Sequence, residues 1–290
     1  MSYPTVYKTA QLSKLKVFYR EAGNPASPTV LLLHGFPTSS HMFRNLIPAL
    51  APYAHLVAPD LPGFGNTESP TDGTFTYTFD NLALTVEELV EHLGLKSYFV
   101  YLMDYGAPTG LRLAKAHPER VLGLIVQNGN AYSEGLTPFW DDLKKYWKDR
   151  SPETEKPVRP ILSLEATKSQ YIVGAQDESK VSPDTWNHDY YFLTQPGHDQ
   201  IQLDLFYDYR SNIPLYPTFH EYFRKYQWPT LIVWGKNDFI FGVDGATAFS
   251  RDLPKAELHL LNGGHFVLEE YLDEAAKYMK DFIIATAKSA

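Results

Sequence analysis

Short runs of β-branched and aliphatic residues alternate with longer amphipathic stretches along most of this chain. That alternation predicts βαβ units and a mostly parallel sheet. Val17–Tyr19, Thr29–Leu33, His55–Ala58, Tyr98–Leu102, Val121–Val126, Thr230–Trp234 and Glu257–Leu261 read as strands. Between them, Leu82, Val86, Leu89, Val90 and Leu93 recur at helical spacing, predicting a helix over Phe79–Leu93. Asp80 is its candidate N-cap and Gly94 its C-terminal stop. Leu111, Leu113 and Ala114 mark a second helix from Pro108 to His117, ended by Pro118, and Leu268–Ala285 reads as the last.

From about Ser133 to Pro217 the alternation fails. Prolines at 138, 152, 157, 160, 183, 196 and 214 divide short helical pieces, and no strand run appears among them. The pattern predicts an α-helical insertion over 133–217, set into a core built from 1–132 and 218–290. Many of the aromatic residues crowd between Phe139 and Trp234, so the insertion is expected to cover a largely apolar pocket.

Composition narrows the function. A net charge of −8 repels polyanions, which argues against nucleic-acid or anionic-membrane partners. No apolar run approaches the roughly 20 residues of a membrane helix. Met1–Thr5 has no basic stretch leading into an apolar one, so a cytoplasmic location is expected. The absence of cysteine removes disulfides, thiolate nucleophiles and Cys-ligated metals. There is no His-Glu-x-x-His and no tight acidic cluster. Neither metal nor cofactor is expected; the partners are a small-molecule substrate and water.

The Gly-x-Ser-x-Gly motif of serine hydrolases is missing. In its place, directly after the Tyr98–Leu102 strand, stands Leu102-Met103-Asp104-Tyr105-Gly106-Ala107. A strand ending in Asp and turning through Gly-Ala into a helix suits a nucleophile elbow, with small residues letting the helix pass close. Taken alone, an Asp before a helix is more often a cap. Its company changes that. His34-Gly35-Phe36-Pro37 follows an earlier strand, where the Phe36 N–H, with that of Tyr105, can form an oxyanion hole. Asp238 follows the Thr230–Trp234 strand, and His265 stands on a Gly-rich loop after the last. The chain order is nucleophile, acid, base.

These stretches, with Pro59-Asp60-Leu61-Pro62-Gly63-Phe64-Gly65, resemble the α/β-hydrolase superfamily. Within it they are similar to the Asp-nucleophile branch of epoxide hydrolases, haloalkane dehalogenases and fluoroacetate dehalogenases. The resemblance implies an α/β-hydrolase fold: a mostly parallel eight-stranded sheet flanked by helices, with an inserted helical cap. It implies that Asp104 attacks carbon to form an alkyl-enzyme ester. His265, oriented by Asp238, then activates water to hydrolyse it. Tyr105 departs from the Trp that haloalkane dehalogenases place after the nucleophile, and from the Arg of fluoroacetate dehalogenases. Epoxide opening needs proton donors on the cap. Asp189-Tyr190-Tyr191-Phe192 and Asp208-Tyr209-Arg210 are similar to the two tyrosine-bearing segments of epoxide hydrolases, pointing to Tyr190, with Tyr191 as fallback, and to Tyr209. Tyr191 and Phe36 are also pocket candidates. The expected activity is epoxide hydrolase-like, with dehalogenation as the alternative. A cofactor-free oxygenase or a ligand-binding relative on the same fold remains a different class of answer.

Overall fold

The computed structural model describes residues 3–288, so Met1 and Ser2 of the N-terminal stretch read above lie outside it. Among the described residues eight strands form one sheet: β1 (Val6–Gln11), β2 (Lys16–Ala22), β3 (Thr29–Leu33), β4 (His55–Pro59), β5 (Tyr98–Met103), β6 (Val121–Gln127), β7 (Thr230–Gly235) and β8 (Glu257–Leu261). Their order is β1-β2-β4-β3-β5-β6-β7-β8. β2 runs antiparallel to both β1 and β4, and every other pairing is parallel.

The central strands are apolar on both faces because both faces are covered. In β3, Leu31 and Leu33 enter one core while Val30 and Leu32 enter the other. β5 divides likewise, with Val100 and Leu102 opposite Phe99, Tyr101 and Met103. β1 escaped the sequence pattern for the complementary reason. It is an edge strand exposed at every position but Ala10, so no buried face imprints a period on it.

The helices are α1 (Leu46–Leu50), α2 (Phe79–His92), α3 (Gly106–Ala116), α4 (Asp141–Lys148), α5 (Pro152–Glu155), α6 (Leu164–Ile172), α7 (Asp184–Leu193), α8 (His198–Asp208), α9 (Tyr216–Tyr226), α10 (Val243–Ala248) and α11 (Leu268–Ala287). Gly94 follows α2 at φ +67, the left-handed conformation expected of its stop. The cap of α2 is corrected. Thr78, in extended backbone, accepts the Asn81 N–H at 3.2 Å, while Asp80 lies inside the first turn and pairs with Arg112. Between β6 and β7 the described chain is helical with no named strand. The expected boundary at 217 falls inside α9, because Pro217 sits at a helix start, where proline is tolerated, rather than in a linker. Among the described residues, no helix is long and apolar enough to cross a membrane.

Candidate active site

The parallel strands β3, β5, β6, β7 and β8 end at one edge of the sheet, and the segments leaving them carry the site. Asp104 is the first residue past β5, at φ +47. A non-glycine residue in the left-handed region is uncommon and costs energy, and such strain gathers at functional sites. Here it turns the chain from strand to helix in one residue. The turn is tight enough that a Cβ on Gly106 would lie 2.2 Å from the Leu33 carbonyl oxygen. A Cβ on Gly35 would meet the Asp104 carboxylate at 2.2 Å, so glycine there lets the β3 loop close over the acid.

That loop brings a backbone donor to the acid. The Phe36 N–H donates to Asp104 Oδ1 at 2.7 Å, and the Tyr105 N–H also acts to lower the pKa of the carboxylate. The loop is braced from behind by the buried His34. Its Nε2 accepts the Leu61 N–H at 2.9 Å, which leaves Nδ1 to donate to the Gly35 carbonyl at 3.0 Å. Asp60 braces neighbouring backbone, accepting the Ser40 and Asn66 N–H groups, each at 2.8 Å.

The other Asp104 oxygen, Oδ2, lies 3.8 Å from His265 Nε2. His265 Nδ1 is 2.7 Å from Asp238 Oδ2, so the proton on that nitrogen is fixed toward the acid. Nε2 is buried and has no hydrogen-bond partner. Asp238 is itself held: Oδ1 accepts the Ile240 N–H at 2.7 Å, and Oδ2 also accepts from Asn128 Nδ2 at 2.9 Å. Asn128 is a member of the site that the sequence reading missed. It is the first residue past β6, at φ +45, and its Oδ1 accepts the Gly235 N–H at 3.0 Å. The clue was available in Gln127-Asn128-Gly129, an Asn-Gly pair at the end of a strand.

Burial acts on both Asp104 and His265, with different outcomes. Burial pushes Asp104 up to about 6, against the pull of His265 and the two backbone N–H groups. For His265, burial works to lower the pKa, but the Asp238 charge and hydrogen bond outweigh it and raise the value above the usual 6.5. The charge of Asp104 adds to that rise.

Aromatic side chains close the site. Ring contacts run unbroken from Phe36 to Tyr105 at 6.2 Å, to Tyr209 at 5.9 Å and to Trp140 at 4.4 Å. They continue to Phe241 at 5.3 Å and return to His265 at 6.0 Å. Phe206 lies edge-on to Phe36 at 4.9 Å. Tyr209 is fully buried. Its hydroxyl makes no well-formed hydrogen bond, though the Tyr216 hydroxyl acts on it. Burial, Tyr216 and the Asp104 charge all raise its pKa.

The other cap tyrosines are placed differently from expectation. Tyr190 is half-buried on α7 and, among the described residues, has no hydrogen bond or ring contact with the groups around Asp104. Tyr191 is 61% exposed and packs on Phe192, so it lines no enclosed pocket. The physical reason is the face of α7 that turns inward. It is set by Thr185, Asp189 and Leu193, which are buried, and Asp189 takes the Tyr171 hydroxyl at 2.5 Å.

A family model for the alpha/beta hydrolase fold matches residues 28–271. The uncharacterized hydrolase YNR064C of Saccharomyces cerevisiae is 45% identical over 262 residues, 89% of this chain and 90% of that one. A haloalkane dehalogenase of Bradyrhizobium diazoefficiens is 37% identical over 127 residues, covering 43% of this chain and 38% of its own. Epoxide hydrolase 3 of Mus musculus is 24% identical over 280 residues, 93% of this chain and 74% of its own.

Proposed function

The chain belongs to the α/β-hydrolase fold family and is a hydrolase, and from that premise we propose that it opens epoxides through an ester on Asp104. The observation that carries this reading is the division of labour on one carboxylate. Oδ1 takes the Phe36 N–H at 2.7 Å, while Oδ2 is left facing His265 Nε2 at 3.8 Å.

In the first step Oδ2 attacks an epoxide carbon, the ring C–O bond breaks, and the departing alkoxide takes a proton from the Tyr209 hydroxyl. A carboxylate suits this attack because the ester it forms can be hydrolysed, whereas a serine ether could not. In the second step His265 takes a proton from water, and the hydroxide oxygen adds to the ester carbonyl carbon. Oδ1 becomes the oxyanion, held by the Phe36 and Tyr105 N–H groups. Collapse breaks the bond between Cγ and the substrate oxygen, and the departing alkoxide takes the His265 proton to complete the diol. Asp104 is left as the acid holding water's second hydrogen; its ionisation, matched by return of one proton to Tyr209, restores both groups. Alkylation removes the Asp104 charge that helps raise His265, so the imidazole becomes easier to deprotonate when it is needed as a base.

Dehalogenation, suggested by the partial similarity to a haloalkane dehalogenase, needs N–H donors for the halide. The indoles beside the site are committed elsewhere: Trp140 donates to the Ile240 carbonyl at 2.9 Å and Trp147 to that of Phe206 at 2.7 Å. The buried, weakly partnered Tyr209 hydroxyl favours a leaving group that needs a proton.

His265→Gln is the test, because it stops the second step only. Incubated with styrene oxide, this variant is expected to gain the substrate's mass, located by peptide mapping on Asp104. An unmodified protein after exposure to epoxides, haloalkanes and fluoroacetate would sink the covalent scheme. An adduct from haloalkanes alone would move the assignment to dehalogenation.

A further inference from the structure

Tyr209 opens a short 3-10 turn, Tyr209–Ser211, which is followed by a second, Ile213–Leu215. Such turns have poor hydrogen-bond geometry of their own and fix a side chain weakly. A proton donor must nevertheless keep its place to within about 0.5 Å. Something outside the turn has to supply that restraint.

Both flanks of the turn are anchored to the core. Upstream, Asp208 Oδ2 accepts the N–H of Phe79, the first residue of α2, at 2.8 Å. Downstream, Asn212 Oδ1 accepts from Arg112 Nη1 at 2.6 Å, and Ser211 Oγ accepts from Arg112 Nη2 at 3.3 Å. Arg112 stands on α3, the helix that begins at the Asp104 elbow. Its Nε donates to Asp80 at 2.6 Å and its Nη1 also donates to the Pro108 carbonyl at 3.2 Å. The guanidinium lies over the Phe79 ring at 5.9 Å, and that ring is edge-on to both Tyr105, at 4.9 Å, and Tyr209, at 5.4 Å.

Arg112 is only 8% exposed, yet its one ion-pair partner among the described residues, Asp80, has a side chain 76% exposed. An ion pair so open to water contributes little. The other donors of the fork go to neutral acceptors on α3 and on the Tyr209 turn. That is recognition by shape, which the planar guanidinium supplies and a lysine ammonium does not.

We infer that Arg112 is the positioning residue of the leaving-group donor: it clamps the Tyr209 turn to the helix that starts at the nucleophile. Hydroxyl and carboxylate are thereby held in one frame. The inference rests on Tyr209 acting as the proton donor in epoxide opening.

The experiment places 3-fluorotyrosine at position 209 in the otherwise native protein, in Arg112→Lys and in Asn212→Ala, and records the ¹⁹F spectrum of each. In parallel, the rate of ester formation on Asp104 is measured in the His265→Gln background with styrene oxide and with a primary iodoalkane, whose leaving group needs no proton. Both variants are expected to shift or broaden the resonance of residue 209. Ester formation from the epoxide should slow by about 30-fold at saturation, with half-saturation changed by no more than about twofold and iodoalkane alkylation equally little affected. If Arg112→Lys does not fold, Asn212→Ala decides, since it leaves the Asp80 pair intact. An unmoved resonance overturns the clamp, and an equal loss on both substrates overturns its link to the leaving group. No ester from any substrate removes the Asp104 reading instead, and the ¹⁹F spectra still decide whether Arg112 holds the turn.

Discussion

At the sheet edge, Asp104 and Asn128 each stand one residue past a strand, and Asp238 and His265 stand within four. Their positions follow from the register of the sheet and from a few local backbone features: left-handed φ at 104 and 128, and glycines where chains pass closely. In the helical segment over that edge, Tyr209 reaches the site by a different route. No strand end places it. Its position depends on side chains far away in sequence, Phe79, Arg112, Trp140 and Trp147. The difference teaches that a scaffold can fix its charge-bearing groups through backbone geometry while packed side chains place the groups facing them; under the proposed mechanism, the second set chooses the leaving group. On that proposal, changes in the helices alter the reaction without disturbing Asp104.

Three experiments would break or sharpen this contrast. The largest effect is expected at the sheet edge. Asp104→Asn should lower turnover by at least about a thousandfold, since no other group can form the ester. The same change should raise stability at neutral pH. Burial lifts the folded-state value from 3.8 to about 6, so the folded protein binds the Asp104 proton more tightly than the unfolded chain does. The stability this affords the native protein is present below pH 3.8 and is lost as pH rises through 6. Asn cannot ionise, so the variant should be more stable by about 2–3 kcal/mol above pH 6, with the gain vanishing toward pH 4. Denaturant melts at the two pH values check it; an equal gain at both would show that ionisation is not the cause.

Next in size is the helical segment. Tyr209→Phe is expected to slow epoxide opening by roughly a hundredfold, while Tyr190→Phe and Tyr191→Phe leave it within about twofold. Comparable losses at 190 and 209 would return Tyr190 to the site and undo the regional contrast. The smallest change is expected from Asn128→Ala, which removes one hydrogen bond from Asp238 but leaves Ile240 in place. A loss of about tenfold is expected, concentrated in hydrolysis of the ester rather than in its formation. Pre-steady-state kinetics separate the two steps, and an equal slowing of both would argue that Asn128 supports the elbow instead.

What the sequence determined by itself is the sheet interior and the set of polar groups at its edge. Strands covered on both faces must be continuous apolar runs, and groups set by strand ends keep their order and spacing in the chain. Asp104, Asp238, His265 and the Phe36 and Tyr105 N–H groups were therefore legible, and the structure brings them together. β1 was hidden because an exposed edge imposes no pattern, and Thr78 rather than Asp80 caps α2 because the extended backbone ends at Thr78 and the helix starts at Phe79, leaving Asp80 inside the first turn. Asn128 left a local trace in its Asn-Gly pair, but its bond to Asp238 spans 110 positions and depends on β6 lying beside β7. Tertiary structure alone decided among the tyrosines. Tyr190, Tyr191 and Tyr209 have the same chemistry and similar motif support. Which of them is enclosed beside Tyr105 depends on the inward face of α7, set by Asp189, and on the remote contacts that enclose Tyr209. A one-dimensional pattern records the period of a helix, but not the rotation that distant partners impose on it.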